Sequence, residues 1–376
     1  MKNEKFLIDN REYSPQRLLI IAELGSSHGS DPLKAAELIE AAAEAGADCV
    51  KFQMIYADEI LHPNTGEVAL PGGNIKLYDR FKALETEPDF FAEMKERVEK
   101  RGLIFLCTPF GLKSARELRK LGPKCLKIAS PELNFTALLK EIASYALPTL
   151  LSSGVSSLAD IEEALSTLAA KPEAGHEASP VCLLHCVTAY PAPEKDYNLR
   201  VLQSLRAVFG LPVGLSDHSL DPCLVPVLGA AMGAAVVEKH FCLSRNDPGL
   251  DDPIALPPDS FARMVLALRQ AEKATAEESI EAMCREYGRE TVESVLGDGI
   301  KRLAPSEKAN YGRTNRSIHA LRDIAQGEII EPDMFASLRT EKLLRPGLPP
   351  SWEEKLTGRR ARAVIAAGQG IRFEDV

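Results

Sequence analysis

An apolar strand followed by a helix recurs along most of the chain, and this repeat limits the possible folds more than any other sequence feature. In its first copy, residues 18–22 form a continuous apolar run, and Asp31 and Pro32 are typical of a helix start. Gly46 is typical of the end of that helix, and a second apolar run follows at residues 49–52. This stretch predicts a strand, a helix and a second strand.

The same unit can be counted eight times before the chain changes character. Its strand segments are almost continuously apolar, as parallel strands are when helices cover both faces of their sheet. Eight such units in about 275 residues predict an α/β fold of the TIM (β/α)8 barrel type, which usually takes about 250 residues. A doubly wound open sheet is the alternative, because a strand count that errs by one or two would fit it.

The chain changes in texture after about residue 274. A charged stretch with one short helical segment leads to a tail with two similar segments, IAQGEIIEPD from Ile324 and IAAGQGIRFE from Ile365. Each segment is typical of two short strands around a glycine turn. We therefore predict a barrel domain at residues 1–285, a linker at 286–312 and a small β-rich domain at 313–376.

The composition excludes several classes of function. Apolar residues make up 45% of the 376 residues and charged residues 26%, which is typical of a globular protein. The net charge is −9 without a cluster of lysine or arginine, which argues against nucleic-acid and membrane-surface binding. No apolar run reaches the roughly 20 residues of a membrane span, and no signal peptide is visible, so we expect a cytoplasmic protein. The eight cysteines contain no CxxC pair and are expected to be reduced.

Polar side chains gather where the predicted strands end. In a TIM barrel these C-terminal ends surround the active site. The polar residues at or just after the strand ends are Glu23, Lys51, Gln53, Thr108, Lys127, Ser130, Glu132, Ser152, Thr188, Tyr190, Ser216, Asp217, His218, Glu238, Lys239 and His240. Such a rim favours an enzyme over an inert barrel that merely carries a carbohydrate- or ice-binding tail.

Two of these residues, His218 and His240, end consecutive predicted strands. Neighbouring strand ends would bring the two imidazoles within reach of one ion, and imidazole is a good ligand for divalent transition metals. The alternative is that each histidine only makes a hydrogen bond at its own strand end. Two histidines on adjacent strands of the active face favour a catalytic metal site.

Lys51 and Lys127 end two other apolar strands. An acidic protein needs local cations to bind an anion. The nearby hydroxyls of Thr108, Ser130 and Ser152 add hydrogen-bond donors, so we predict a phosphate or carboxylate cradle. The alternatives are ordinary surface lysines, or a lysine that forms a Schiff base with a carbonyl substrate, as in metal-independent aldolases.

Two further residues have more than one interpretation. Glu23 points from the end of the first strand toward the same mouth, where it could act in catalysis or pair with a lysine. Cys186 follows His185 on one strand, so their side chains face opposite sides and a nucleophilic Cys–His pair is not expected. We assign Cys186 to packing.

Several longer motifs occur in order along the barrel region: IAELGSSHGSDPLKAAELIEAAAEAGADCVKFQ, FLCTPF, LKIASPEL, LLHCVTAYPAPEKDYNLR, PVGLSDHS, VVEKHF and PGLDDPIALPPDSF. Together they resemble the sialic acid synthase family, whose members make N-acetylneuraminic, legionaminic or pseudaminic acid. The tail contains NRSIHALRDIAQGEIIEPDM, LRPGLPP and LTGRRARAVIAAGQGI, and it resembles the antifreeze-like SAF domain, a β-clip fold that follows the barrel in this family. The resemblance covers nearly the whole chain.

The resemblance implies a reaction and a role for each motif residue. The family joins phosphoenolpyruvate to an N-acylated amino sugar, such as N-acetylmannosamine or a diacetamido-hexose, giving a nine-carbon 2-keto acid and phosphate. By resemblance, His218 and His240 hold a divalent metal ion, Mn²⁺ before Mg²⁺ or Co²⁺, and Glu23 orients or deprotonates a water. The ligand contacts implied are Lys51, Thr108, Lys127, Ser130, Ser152, Thr188 and Ser216 for phosphoenolpyruvate, and Gln53, Glu132, Tyr190, Asp251 and Arg316 for the sugar.

The chain departs from the family's usual motifs in loops that face ligands. Residues 25–31 read GSSHGSD where relatives commonly read GVNHNGD, so Ser27 and Gly29 replace two amide side chains. Thr188 lies where relatives often carry serine or asparagine, and residues 249–252 read GLDD where GPDH is commoner. The sequence therefore leaves the exact sugar open.

The resemblance also implies a homodimer in which the tail domain of each chain reaches the partner's barrel. In the family this domain lends an arginine to the sugar site, and Arg316 lies at the matching place. The predicted linker is long enough for such an exchange, which is a common route to two-fold dimers. The alternative role for Arg316 is an ion pair on the surface of its own domain.

Overall fold

The computed structural model describes residues 5–70, 73–169, 179–341 and 343–376. Its strands are β1 (Phe6–Ile8), β2 (Arg11–Tyr13), β3 (Leu19–Gly25), β4 (Cys49–Met54), β5 (Glu67–Leu70), β6 (Gly73–Lys76), β7 (Ile104–Pro109), β8 (Leu126–Ile128), β9 (Thr149–Ser152), β10 (Val181–Cys186), β11 (Val213–Asp217), β12 (Val236–His240), β13 (Arg316–Ala320) and β14 (Phe335–Arg339). Its α-helices are α1 (Pro32–Glu44), α2 (Ala57–Ile60), α3 (Leu77–Lys82), α4 (Pro88–Lys100), α5 (Leu112–Lys120), α6 (Thr136–Ala143), α7 (Leu158–Ala169), α8 (Val201–Phe209), α9 (Leu224–Ala231), α10 (Pro258–Ala271), α11 (Ala276–Tyr287), α12 (Arg289–Leu296) and α13 (Glu353–Leu356). Among the described residues, no helix has the length and apolar character needed to span a membrane. All eight cysteines are unpaired.

Eight of these strands form one parallel sheet that curls into a barrel, as the repeat predicts. Hydrogen-bonded neighbours follow the order β7-β4-β3-β12-β11-β10-β9-β8. β12 pairs with β3, so the first and last strands of the repeat lie side by side, with His240 opposite Glu23. β7 and β8 are in contact at the remaining junction. The TIM barrel is therefore confirmed, and the doubly wound open sheet is excluded.

The first repeat unit shows how its residues form these elements. The Asp31 side chain accepts a hydrogen bond from the Leu33 backbone N–H at 2.8 Å, and Pro32 occupies the first turn of α1, where an N–H would lack a helical partner. Gly46 follows the helix with a φ of +89°, a conformation that favours glycine. The predicted helix start and end are both confirmed.

A short hairpin closes the N-terminal end of the barrel. β1 and β2 pair in antiparallel fashion, and Phe6, Ile8 and Tyr13 pack in one apolar cluster with barrel residues that include Ile21 and Leu106. Apolar packing fills this end of the barrel, so the polar side chains gather at the opposite end, where active sites of this fold lie.

The stretch predicted to be a linker contains a packed helix. Within residues 286–312, α12 buries Val292, Val295 and Leu296 in the main core. These three positions have the i, i+3, i+4 spacing of one helix face. The charged residues around them obscure this face in the sequence, so this helix is not expected within the predicted linker.

The tail forms the small β-rich domain that the sequence predicts. β13 and β14 pair in antiparallel fashion, and a bridge between Ile324 and Ile365 joins the two similar segments of the tail. The domain has its own apolar core. It docks on the barrel, where Asn134 Oδ1 accepts from the Arg316 N–H at 3.0 Å and Asn134 Nδ2 donates to the Arg316 carbonyl at 2.8 Å.

Candidate active site

A cavity of about 430 Å³ lies at the C-terminal ends of the barrel strands. Apolar side chains of α3 line one part of it, and the tail domain contributes Arg339 and Glu341. The predicted site residues that line it are Glu23, Lys51, Gln53, Thr108, Lys127, Ser130, Ser152, Thr188, Tyr190, Ser216, His218, His240 and Asp251. Two predicted residues, Glu132 and Arg316, are not part of its lining.

A chain of ion pairs crosses the cavity. Lys51 Nζ lies 2.9 Å from Glu23 Oε2 and 2.8 Å from Glu238 Oε2. Lys127 Nζ lies 3.8 Å from Glu238 Oε1, and Gln53 donates a hydrogen bond to Glu23 Oε1 at 2.7 Å. The four charged side chains are buried. Two cations thus face two carboxylates, and both lysines keep hydrogen-bonding capacity for a ligand.

Burial and charge shift two pKa values in these ion pairs. Burial lowers the pKa of Lys51 to about 8, because a charged amine loses water there, although Glu238 opposes the shift. Burial by itself would raise the pKa of Glu238, but the charges of Lys127 and Lys51 outweigh it and lower that pKa to about 2. At neutral pH Glu238 is therefore ionised and Lys51 carries its proton.

Hydroxyl groups line the cavity beside the lysines. Thr108 Oγ1 and Ser152 Oγ are buried and have no hydrogen-bond partner among the described residues. Ser130 Oγ accepts a hydrogen bond from the Gly154 N–H at 3.0 Å. Position 154 has room only for glycine beside Thr188, because a Cβ there would lie 2.1 Å from Thr188 Oγ1. Unpaired buried hydroxyls are costly unless a ligand or water completes them. The arrangement therefore favours a ligand rich in oxygen atoms.

The two histidines face the same cavity, and their ring centroids lie 5.4 Å apart. His218 Nδ1 lies 2.8 Å from the Val187 carbonyl oxygen, so this nitrogen donates and Nε2 keeps its lone pair. His240 Nδ1 is buried with no hydrogen-bond partner in the described part of the chain, and burial holds the pKa of His240 well below its usual value. Against the opposing effect of burial, the neighbouring Cys186 raises the pKa of His218. A metal ligand needs a neutral ring, and in that form His218 would offer Nε2.

The histidines are not part of a larger ligand cluster. Over residues 5–70, 73–169, 179–341 and 343–376, no group of three or more His, Cys, Asp or Glu side chains is arranged to hold a metal ion. Asp251 Oδ2 lies 4.0 Å from His240 Nδ1, and burial raises the pKa of Asp251 to about 6. An ion held by the two histidines would have positions left for water and substrate, which is the pattern of catalytic sites.

Two side chains flank His218. The Tyr190 ring lies 4.3 Å from the His218 ring and is more than half exposed. Cys186, which the sequence analysis assigns to packing, is buried but also lines the cavity, with Sγ 3.8 Å from His218 Nδ1. His185 faces the other side of the strand and contacts the Tyr197 carbonyl at 2.6 Å, as strand alternation predicts.

Two of the departures from the family's motifs contact each other. Ser27 donates a hydrogen bond to Asp252, and Asp252 Oδ2 accepts from the Gly249 N–H at 2.8 Å. The neighbouring Ser26 lines the cavity and accepts from the Leu250 N–H at 2.8 Å. The serines at positions 26 and 27 therefore organise the loop that carries Asp251.

The third departure, Thr188, is held by a residue of the predicted linker. The buried Glu307 carboxylate accepts from the backbone N–H groups of Thr188 at 2.8 Å, Val155 at 2.7 Å and Ala304 at 3.1 Å. Three backbone donors on one carboxylate fix the two loops that carry Thr188 and Gly154. Glu307 has no signal in the sequence, because its partners Thr188 and Val155 lie more than 100 residues away along the chain.

Glu238 also belongs to the site, although it receives no specific role from the sequence. A signal exists, since residues two apart on a strand face the same side. Glu238 must therefore share the inner face with His240, while Lys239 faces away and pairs with Asp217 at 2.5 Å. Arg339 has no comparable signal, because only docking of the tail domain brings it to the cavity.

The fold and the cavity define a barrel protein in which two buried lysines and two histidines face one cavity. The NeuB family profile matches residues 38–279, and the SAF domain profile matches residues 315–376. The chain belongs to the NeuB family.

Relatives resemble the chain over almost its full length. It is 34% identical over 371 residues to the N,N'-diacetyllegionaminic acid synthase of Legionella pneumophila, with 96% of each protein covered. It is 32% identical over 365 residues to a pseudaminic acid synthase of Campylobacter jejuni, covering 96% of this chain and 97% of the other. The crystal structure of the spore coat polysaccharide biosynthesis protein spsE from Bacillus subtilis matches with a TM-score of 0.81 and 33% identity, over 99% of each chain. These findings confirm the family resemblance inferred from the motifs.

Proposed function

We propose that the protein condenses phosphoenolpyruvate with an N-acylated amino sugar to give a nine-carbon 2-keto acid and phosphate. The observation that carries this proposal is that one cavity contains both histidines, two lysines and two buried hydroxyls without partners among the described residues. The acceptor is N-acetylmannosamine or a diacetamido-hexose, and the name of the Legionella relative supports the second.

Lys51 and Lys127 bind the anionic groups of phosphoenolpyruvate. Their amines lie on either side of Glu238, and Thr108 and Ser152 offer hydroxyl donors that no described residue uses. Charge-assisted hydrogen bonds from both kinds of donor suit a phosphate. Ser130, Thr188 and Ser216 complete the predicted contacts.

His218 and His240 hold a divalent metal ion, Mn²⁺ in preference to Mg²⁺ or Co²⁺. The buried, unpartnered His240 Nδ1 and the neutral form of His218, with its lone pair on Nε2, fit such an ion. When bound, the ion supplies Lewis-acid polarisation of the sugar aldehyde. Gln53, Tyr190 and Asp251 line the cavity as candidate contacts for the sugar itself.

Glu23 orients the water that completes the reaction. Its Oε1 accepts from Gln53 and its Oε2 pairs with Lys51, so the carboxylate is held in place at the cavity. C3 of phosphoenolpyruvate bonds to the aldehyde carbon, whose oxygen takes up a proton while positive charge develops at C2. Water adds to C2 and gives one proton to Glu23, so C2 then carries both a hydroxyl and the phosphate. The hydroxyl loses its proton as the C2–O bond to phosphate breaks. Phosphate takes the electron pair of that bond, which leaves the 2-keto acid.

Phosphate release tests the proposal. Phosphoenolpyruvate should release phosphate only when an N-acyl hexosamine is present, and a chelator should stop the release until Mn²⁺ is added back. Release of phosphate without any sugar, or turnover that the chelator does not affect, would contradict the proposal.

A Schiff-base aldolase is the second candidate, because the lowered pKa of Lys51 favours a nucleophilic amine. Its two ion pairs oppose this role, since both carboxylates favour the protonated amine. Borohydride treatment in the presence of pyruvate distinguishes the candidates. The aldolase would be trapped with a covalent adduct on Lys51 or Lys127, whereas the synthase would remain unmodified.

Binding of phosphoenolpyruvate should weaken as the pH rises through about 8. The pKa of Lys51 is about 8, so its charge is lost above that pH while Glu238, with a pKa of about 2, stays ionised. We expect the KM for phosphoenolpyruvate to rise by at most about tenfold per pH unit above pH 8, because a single group, Lys51, loses one proton. The KM for the sugar should change little. Lys51→Arg should flatten the rise, since guanidinium stays charged. A wild-type KM that is constant to pH 9.5 would refute this assignment.

The protein acts as a domain-swapped homodimer in this proposal. In the single chain, the tail domain docks on its own barrel. Arg316 of the tail domain contacts Asn134 and Glu132 of the barrel, and Glu354 pairs with Lys140. A reciprocal exchange of tail domains would make the same contacts between two subunits. The shared contacts are consistent with a closed two-fold dimer.

Mixed dimers distinguish the two arrangements. His240→Ala and Arg316→Ala should each be inactive, because one lacks a metal ligand and the other lacks the contact that docks the tail domain. Coexpression of both chains should restore part of the activity, since one site per mixed dimer then has an intact barrel and an intact tail domain. Mixtures that stay as inactive as the single variants would mean that each tail domain serves its own barrel.

A further inference from the structure

Two guanidinium groups of the tail domain share one carboxylate oxygen beside the cavity. Arg316 Nε lies 3.0 Å from Glu132 Oε1, and Arg339 Nη2 lies 2.7 Å from the same atom. Glu132 is fully buried, and its Oε2 has no hydrogen-bond partner in the described residues. The single negative charge of Glu132 is therefore shared by the guanidinium groups of Arg316 and Arg339.

The Arg316 guanidinium is wholly buried and makes its contacts within the protein. Besides its two contacts with Glu132, its Nη2 donates to the Phe110 carbonyl at 2.6 Å, and its Nη1 donates to the carbonyls of Ser337, at 3.2 Å, and Glu59. Four of the five N–H groups of the guanidinium therefore donate hydrogen bonds, and Nη2 also lies 2.9 Å from Glu132 Oε1 as an ion pair. Its side chain is wholly buried, and burial lowers the pKa of Arg316 to about 10. Arg316 thus fastens the tail domain to the barrel behind the cavity wall.

Arg339 keeps a donor and lines the cavity. Its Nε and Nη2 both bond to Glu132 Oε1, at 3.0 Å and 2.7 Å, and its guanidinium lies 5.4 Å from the centre of the Phe110 ring. Its Nη1 donates to no described residue. Tyr190 and Asp251, which are candidate sugar contacts, line the same cavity. Of the two arginines, Arg339 is therefore the one that lines the cavity.

The charges around Arg339 favour an uncharged partner. Its own charge is already balanced in part by the carboxylate that it shares, and Asp251 and Glu341 line the same cavity. Lys51 and Lys127 are the other lysine or arginine side chains in the described lining, and both lie in ion pairs at the phosphoenolpyruvate cradle. A phosphate on the sugar would meet carboxylates instead of a spare cation.

We propose that Arg339 is a specificity-determining residue whose Nη1 donates a hydrogen bond to an uncharged hydroxyl or carbonyl oxygen of the amino sugar. Arg316 is a positioning residue that holds Glu132 and the tail domain. The acceptor is accordingly an unphosphorylated sugar. This inference rests on the proposed function, because it assigns one end of the cavity to the sugar.

Steady-state kinetics of the full-length chain separate the two arginines. Arg339→Gln should raise the KM for the sugar by about 10- to 100-fold, as expected for a lost hydrogen bond to a charged donor, and leave the KM for phosphoenolpyruvate within about threefold. Arg339→Lys should be equally impaired, because one amine cannot bond Glu132 and also reach the sugar. Arg322→Gln, at an exposed position of the same domain, is the matched control and should behave as wild type.

Two further measurements complete the test. Arg316→Lys should lower the melting temperature, because several buried carbonyl groups lose their donors. For the wild-type protein, the KM for N-acetylmannosamine should be at least about tenfold lower than the KM for N-acetylmannosamine 6-phosphate. The reason is that burying a phosphate without a paired cation is unfavourable.

Each opposite result overturns the inference. An unchanged sugar KM in Arg339→Gln, an equal rise in both KM values, recovery in Arg339→Lys or preference for the 6-phosphate would do so. A wild-type protein that releases no phosphate with any N-acyl hexosamine would instead overturn the proposed function, and this inference with it.

Discussion

His240→Ala is expected to reduce turnover by at least about a thousandfold while the barrel remains folded. The ion that we assign to His218 and His240 stabilises charge in the transition state, a contribution of several kcal/mol, whereas the core does not depend on it. Turnover, bound Mn²⁺ per chain and the melting temperature should be measured together. His218→Ala should give the same result, with loss of the bound ion in both variants.

His185→Ala is the matched control for this prediction. His185 is also a buried histidine on a barrel strand, but it faces away from the cavity and contacts the Tyr197 carbonyl. This variant should bind Mn²⁺ and turn over substrate at a temperature where it is folded. Near-normal activity in His240→Ala, or a full complement of Mn²⁺ in that variant, would refute the shared metal site.

Lys127→Met should raise the KM for phosphoenolpyruvate by about 10- to 100-fold and change the KM for the sugar by less than about threefold. Methionine keeps most of the side-chain volume but removes a buried cation, and hydrogen bonds that involve a charged group contribute about 1.5–3 kcal/mol. The remaining charge on Glu238, 3.8 Å from Lys127 Nζ, would then also repel the ligand. Initial rates with each substrate varied in turn measure both constants.

Lys124→Met provides the comparison for Lys127→Met. Lys124 precedes the same strand, but it is about half exposed and pairs with Asp9 at the surface. Its replacement should leave both KM values unchanged. If Lys127→Met raises both KM values equally, Lys127 does not contact phosphoenolpyruvate.

The barrel and most of its rim can be predicted from the sequence because both depend on local patterns. The strand Val236–His240 is recognisable because the apolar run at residues 234–237 leads into it and polar residues follow only at its end. In a barrel, consecutive strands are neighbours, so His218 and His240 must lie close together once the strands are counted. The strand period of two residues also places Glu238 on the inner face with His240.

The remaining parts of the site depend on contacts between distant segments. Glu132 and Arg339 are 207 residues apart, and they meet only because the tail domain docks on the barrel. The motifs indicate Arg316, but its guanidinium contacts Glu132 and backbone carbonyl groups behind the cavity wall. No pattern in the sequence reports which of two nearby arginines faces the cavity, because that choice is made by packing around Phe110 and Glu132.

The most direct test of the central claim is the balance between substrates and products. Purified protein, Mn²⁺, phosphoenolpyruvate and an N-acyl hexosamine are combined in ¹⁸O-labelled water, and phosphate and the sugar acid are analysed by mass spectrometry. The proposed reaction predicts one phosphate for each nine-carbon 2-keto acid, with ¹⁸O delivered to C2 of the acid and none to the phosphate. Phosphate that carries the label, or pyruvate formed in place of the sugar acid, would contradict the account.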